Sequence, residues 1–236
     1  MDHTGSTQPH YSDARIVANL AAVRARVARA AESAGRSPDD VEIVAVTKTV
    51  GTETVAQLVA AGQRLFGENR ADQLVTKAAA FPEVEFDLIG SLQTNKVRHV
   101  VGVARLIHSV DSIRLLDAIA ARARAINVVQ RVLLQVNVSG EASKHGFAPA
   151  ELAGALAHVA ELPSVRVEGL MTMAPLGDAA LAGPVFAQLR SLRGEAGERT
   201  ADVVSLTQLS MGMSNDFEVA IGEGATIVRI GSALFA

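Results

Sequence analysis

Cysteine does not occur in this 236-residue chain. Its absence excludes disulfides, zinc–thiolate sites and cysteine nucleophiles together. The six histidines are scattered and form no HExxH-type pair, so the sequence gives a metal site little support. There is no surplus of basic charge. The net charge is -3 and the pI about 6.1, which offers nothing to nucleic acid or to an anionic membrane. No apolar run approaches membrane-spanning length. The opening "MDHTGSTQPHYSDAR" lacks the apolar segment of a signal peptide. A cytoplasmic protein is expected, with residues 1–12 as a flexible tail. Lysine is scarce, with four in all (Lys48, Lys77, Lys96 and Lys144), and tyrosine occurs once, as Tyr11.

What is present is apolar material in a repeating order. The composition is 49% hydrophobic, and the length suits one α/β barrel over residues 13–236. Ile16, Leu20, Val23 and Val27 recur at helical spacing, and Gly35 supplies a stop. Beyond this first helix, strands and helices alternate. Strands are expected at 41–46, 64–69, 84–90, 105–110, 129–139, 165–173, 203–210 and 226–235. Helices are expected at 52–62, 70–80, 95–104, 111–126, 148–162, 178–197 and 215–224. Thr52 and Asp111 are read as their openers in two cases, and Pro184 as a bend or a start. Most strands are continuous apolar runs, as in a parallel sheet buried on both faces. Eight of them in βα alternation predict a closed (β/α)8 TIM barrel with an extra N-terminal helix. The rival, an open doubly wound sheet, should carry GxGxxG after its first strand, and none is there.

Barrels of this kind carry their sites where the strands end. The ends here are polar or small while the strand interiors are apolar. "SMGMS" (Ser210, Met211, Gly212, Met213, Ser214) precedes a helix, and "RIGS" (Arg229 to Ser232) ends the last strand. Small residues let backbone N–H groups approach an anion, and the last two strand ends are the recurrent place for phosphate in barrels. Opposite them, Lys48 follows the apolar and β-branched run "VEIVAVT" directly. A rim lysine partly desolvated by a cavity becomes a nucleophilic amine that forms a Schiff base with an aldehyde. A Schiff-base lysine facing a phosphate cup is what pyridoxal 5′-phosphate requires. Asn69, Met171 and Met173 also stand at strand ends. For Asn69 the alternatives are cofactor contact or capping the next helix; for the methionines, ring packing or core filling. His108, inside a strand, reads as a satisfied core histidine, and Lys144 as an exposed loop lysine or a way-station for the aldehyde.

At "AVTKTV", "FGENRADQL", "FDLIGSLQTNK", "VNVSGEASKHGF", "GLMTMAP" and "LSMGMSNDFEVAIGEGATIVRIGSALF" the chain closely resembles the pyridoxal phosphate homeostasis protein family. The resemblance runs from about Ile16 to Phe235. It implies a barrel like the N-terminal domain of alanine racemase, a pyridoxal phosphate cofactor and a monomer without ordinary turnover. Transient delivery to apo-enzymes that need the cofactor would follow. It also implies Lys48 as the attachment lysine. Ser210, Met211, Gly212, Ser214, Gly231 and Ser232 would surround the phosphate, and Arg229 would meet the ring nitrogen or the phosphate. Phe86-Asp87-Leu88 departs from the family's aromatic-His pair, and Ser232 replaces a threonine. The alternatives kept open are a weak racemase or lyase using the same cofactor and a class I aldolase-like enzyme. A two-base racemase needs a second proton-transfer group, and Tyr11 in the tail is a poor candidate.

Overall fold

Period-two burial explains why each apolar run becomes a strand with both faces occupied. One face of every strand packs outward on helices, and the other fills the barrel. The computed structural model describes residues 13–141, 145–175, 179–197 and 203–236; the expected tail at 1–12, with Tyr11, and Lys144 lie outside these. The described strands are β1 (Glu42–Val46), β2 (Leu65–Glu68), β3 (Glu85–Leu88), β4 (Ile107–Val110), β5 (Gln130–Gln135), β6 (Val165–Met171), β7 (Val204–Met213) and β8 (Ile227–Ile230). They pair in parallel in chain order, and β8 returns to β1, so the sheet is a closed eight-stranded barrel. Closure is in register: Val44 stands opposite Arg229 and Ala45 opposite Ile230.

The helices are α1 (Asp13–Ser33), α2 (Thr52–Ala60), α3 (Ala71–Ala80), α4 (Val97–Val100), α5 (Ile113–Ala125), α6 (Leu152–Val159), α7 (Ala179–Gly197), α8 (Phe217–Gly222) and α9 (Ser232–Phe235). The extra helix α1 buries Ile16, Leu20, Val23, Val27 and Ala31 against α2, α8 and α9. Among the described residues, no helix is long and apolar enough to cross a membrane. The core has two parts. A large cluster fills the space between sheet and helices. A smaller one (Val44, Leu106, Leu133, Met171 and Ile227) plugs the barrel itself.

Several local expectations are corrected. Gly51, not Thr52, holds the cap position of α2. Ser112, not Asp111, opens α5, because its hydroxyl is the one placed to accept the Leu115 N–H. The segment Ser210–Met213 does not lead into a helix; it continues β7, and α8 starts only at Phe217. The last strand stops at Ile230, where Gly231 breaks the ladder and the chain turns into α9.

One close approach ties two strand ends together. A Cβ placed on Gly90, after β3, would lie 2.2 Å from the Asn69 carbonyl oxygen after β2. Ser109 donates to the Gly90 carbonyl at 2.7 Å from the β4 side. Overpacking such a contact costs roughly 1–3 kcal/mol. Gly90→Ala is therefore expected to lower the urea midpoint by a stability loss of about 2 kcal/mol at unchanged m-value, as read by circular dichroism.

Candidate cofactor site

A cavity of about 450 Å³ opens at the C-terminal ends of the strands, lined by residues that include Lys48, Asn69, Met173, Ser214, Asp216 and Arg229. Those residues bring five strand ends together, β1, β2, β6, β7 and β8, from distant parts of the chain.

Lys48 reaches this cavity because β1 ends two residues earlier and the chain turns. Thr47 is buried, and its N–H donates to the Gly67 carbonyl at 3.1 Å, which continues the ladder for one more step. Lys48 is the first exposed residue after the strand, and it lines the cavity. The turn is held from below by a second lysine that sequence reasoning passed over. Lys77, on α3 and 2% exposed, donates to the Thr47 carbonyl at 2.8 Å and to Glu68 Oε1 at 2.6 Å. Thr47 Oγ1 donates to the same carboxylate oxygen at 2.5 Å. Glu68 Oε2 is buried without a hydrogen-bond partner. A signal was available: Lys77 lies three residues after Leu74, on the face that Leu74 buries.

Arg229 forms the inner wall. It projects into the barrel, two residues after Ile227 of the inner apolar cluster. It is 4% exposed and donates to Ser210 Oγ at 2.6 Å and to the Thr172 carbonyl at 3.0 Å. Among the described residues no carboxylate lies within ion-pair distance of it. Burial pulls its pKa down to about 10, with the Asp216 charge opposing. It remains a cation at neutral pH, with N–H groups to spare beside the cavity.

Ser214 ties the turns after β7 and β8 together. Its Oγ lies 3.2 Å from the Gly231 nitrogen and 3.3 Å from the Ala233 nitrogen, and both N–H groups donate to it. With its acceptor positions used, the Ser214 hydroxyl hydrogen is left to donate elsewhere. The Asp216 carboxylate accepts from the Met213 N–H at 2.5 Å and pins the turn. Gly212 has φ +93°, so the strand can bend into that turn, and a Cβ there would meet Ala220 Cβ at 2.6 Å.

Of the expected site residues, the cavity gathers Lys48, Asn69, Met173, Ser214, Arg229, Gly231 and Ser232. Asn69 does not cap α3, whose cap position is Arg70. Four others do not line it. Met171 belongs to the barrel's inner apolar cluster and Met211 to the outer core. Ser210 is fully buried beneath Arg229, and Gly212 packs on α8. Asp216, Asn215, Met213, Pro175, Ile89 and Val46 line it without having been expected. Asn215 and Asp216 adjoin "SMGMS", so only the boundary of that motif hid them.

Beneath the cavity, His108 Nδ1 lies 2.8 Å from Ser210 Oγ and His108 Nε2 3.0 Å from Asp87 Oδ2. Asp87 is gripped by Arg105 at 2.8 and 2.7 Å. Burial pushes the Asp87 pKa up, but hydrogen bonds from Arg105 and His108 outweigh it and hold the pKa below the ordinary value. Burial lowers the His108 pKa despite the nearby carboxylate.

A primary amine, a buried guanidinium and a hydroxyl hydrogen around one cavity make a donor set that suits an anionic, ring-bearing aldehyde. Pyridoxal phosphate fits it by that chemistry. The comparisons with known proteins define the class first. Residues 18–236 match the model described as alanine racemase, N-terminal domain. The chain is 44% identical to the pyridoxal phosphate homeostasis protein of Aquifex aeolicus, over 92% of this chain and 95% of that one. It is 39% identical to the protein of that name from Escherichia coli, over 93% and 95%. The solved structure of PipY from Synechococcus elongatus with PLP bound superposes with a TM-score of 0.82 at 36% identity, covering 94% of this chain and all of that one. An alanine racemase from Clostridium difficile shares the fold alone, at 14% identity and a TM-score of 0.71, with 56% of its chain covered. The chain belongs to the pyridoxal phosphate homeostasis protein family.

Two outcomes are expected. Lys77→Met leaves the Glu68 charge buried and unpaired, and should cost about 3–5 kcal/mol in urea unfolding, whereas Glu68→Gln with Lys77→Met recovers part of that loss. Acid should also weaken the fold. The folded His108 holds its proton less tightly than the unfolded chain, so stability is full above about pH 6.5 and declines as the pH falls below it. Asp87, whose folded pKa is depressed, adds a further loss only as the pH falls through the carboxylate range. Urea unfolding at pH 7.5, 6.5 and 5.5 checks this; a flat profile would contradict the assignment of His108.

Proposed function

We propose that the protein binds pyridoxal 5′-phosphate reversibly on Lys48 and holds or delivers it in the homeostasis of that cofactor. The observation that carries this reading is the single cavity uniting Lys48, Arg229 and the Ser214–Gly231 cradle. A relative solved with PLP bound supports it. When bound, pyridoxal phosphate supplies an aldehyde carbon open to attack by a lysine amine, with loss of water. Lys48 presents that amine at the cavity mouth, where release by hydrolysis or amine exchange also has access to solvent. The Ser214 hydroxyl and the backbone about Gly231 and Ser232 bind the phosphate, while Asn69 and Met173 border the ring. The anchoring groups come from loops pinned by Asp216 and by packing, so little order has to be gained on binding.

Arg229 argues for holding over turnover. A guanidinium donating to the ring nitrogen favours the nitrogen without its own proton, and such a ring withdraws electrons weakly. Racemase or lyase activity is the competing reading. Incubation with L-alanine or other amino acids, followed by chiral chromatography, is expected to show no steady turnover. A monomer that serves apo-enzymes transiently completes the proposal.

The decisive experiment is borohydride reduction of the protein loaded with pyridoxal phosphate, then peptide mapping. The expected result is one reduced adduct at Lys48 and loss of the yellow species in Lys48→Ala. An adduct confined to another lysine would overturn the assignment.

A further inference from the structure

Four polar side chains join end to end inside the barrel: Arg229, Ser210, His108 and Asp87, at 2.6, 2.8 and 3.0 Å in turn. Arg105 extends the chain from Asp87 to Glu42 at 3.0 Å, at the N-terminal end of β1. Ser210, His108 and Asp87 are each 0% exposed. Buried polar groups must satisfy one another, and here each group's chemistry permits one direction of donation.

An arginine only donates, so Ser210 Oγ accepts from Arg229. Burial keeps the His108 imidazole neutral, so one ring nitrogen is bare; with the proton on the Asp87 side that nitrogen is Nδ1, and it accepts the Ser210 hydrogen. Asp87, held by two N–H groups of Arg105, is a carboxylate that only accepts, so His108 carries its proton on Nε2. The imidazole is neutral and in one tautomer. Two consequences reach the cavity. The Ser210 hydrogen points away from Arg229, and no second cation stands behind the guanidinium. Arg229 is further fixed by the Thr172 carbonyl, whose own side chain donates to the Val136 carbonyl at 2.9 Å.

We propose that His108, oriented by Asp87, is a positioning residue for Arg229. Through Ser210 it fixes which guanidinium N–H groups face the cavity, so that the pyridine nitrogen of bound pyridoxal phosphate meets a donor and keeps no proton of its own. This rests on the proposed function. Asp87 is where the chain departs from its family's aromatic-His pair, so the relay uses a carboxylate that this sequence supplies. Ser210, His108 and Asp87 are fully buried, which keeps bulk water from replacing their links.

The test compares His108→Phe, Ser210→Ala, their double variant and His108→Asn. The readouts are the dissociation constant for pyridoxal phosphate, the visible absorption of the loaded protein from pH 6 to 9, and the 15N shifts of His108 in the unloaded protein. His108→Phe and Ser210→Ala should each weaken binding about tenfold and alter the pH dependence of the absorption. The double variant should be no worse than either single one, because both cut one chain. His108→Asn, whose Oδ1 can stand near the place of Nδ1, should bind within about threefold of the parent, a gap smaller than one lost hydrogen bond. The 15N shifts should show the proton on Nε2. Parental affinity and absorption in Ser210→Ala and His108→Phe, additive losses in the double variant, or a proton on Nδ1 would each overturn the relay. Should His108→Phe fail to fold, Ser210→Ala and Ser210→Ala with His108→Asn decide the matter by the same non-additivity. If the parent protein binds no pyridoxal phosphate, the proposed function itself fails; if it binds and the variants match it, only the relay does.

Discussion

Pairing of β8 with β1 is the contact on which everything else rests. It joins the first and last thirds of the chain and sets Val44 beside Arg229. Two steps further along, the same register brings the ends of these strands together: a Cβ on Gly231 would lie 3.4 Å from Val46 Cβ. Only because the sheet closes do Lys48, after β1, and Gly231 and Ser232, after β8, share one cavity. An open sheet of the same strands would put them at opposite edges. Closure also removes both free edges and wraps every strand in apolar contacts, which is why the strands read as continuous hydrophobic runs.

A closed barrel of eight strands has an interior to fill, and this one does not fill it with hydrocarbon alone. Val44, Leu106, Leu133, Met171 and Ile227 plug one level. Arg229, His108, Asp87 and Arg105 make a buried polar network, linked through Ser210. A second buried pair, Lys77 with Glu68, sits behind the strand ends outside the cavity. Each buried charge is costly unless paired, so such groups resist change one at a time. The two networks bear on different halves of the site. One braces the turn that presents Lys48, and the other braces the guanidinium on the cavity's inner wall.

This division fits a protein that holds a reactive molecule more than one that transforms it. Lys48 is exposed at the cavity, while Arg229 on its inner wall is buried and hydrogen-bonded. The distant likeness to alanine racemase is a likeness of fold, and fold does not carry activity with it.

Much of this was legible beforehand. Eight apolar runs with helical segments between them define the barrel, because burial on both faces leaves that signature in composition alone. Lys48, Ser214 and Gly231 stood out as polar or small residues just past apolar strands, and Arg229 as a charge within one. What the chain alone decides is the periodicity, and hence which residues end each strand. Tertiary structure decided the rest. It turned Ser210 and Met211 away from the cavity, since β7 runs on through them and alternates its faces. It buried Lys77, which as a helical lysine looks like a surface residue until Glu68 is brought to it. It also linked His108 to Arg229 across 121 positions of the sequence through Ser210. Such links are invisible in one dimension because hydrogen bonds depend on the meeting of groups in space, and that meeting is set by register and closure.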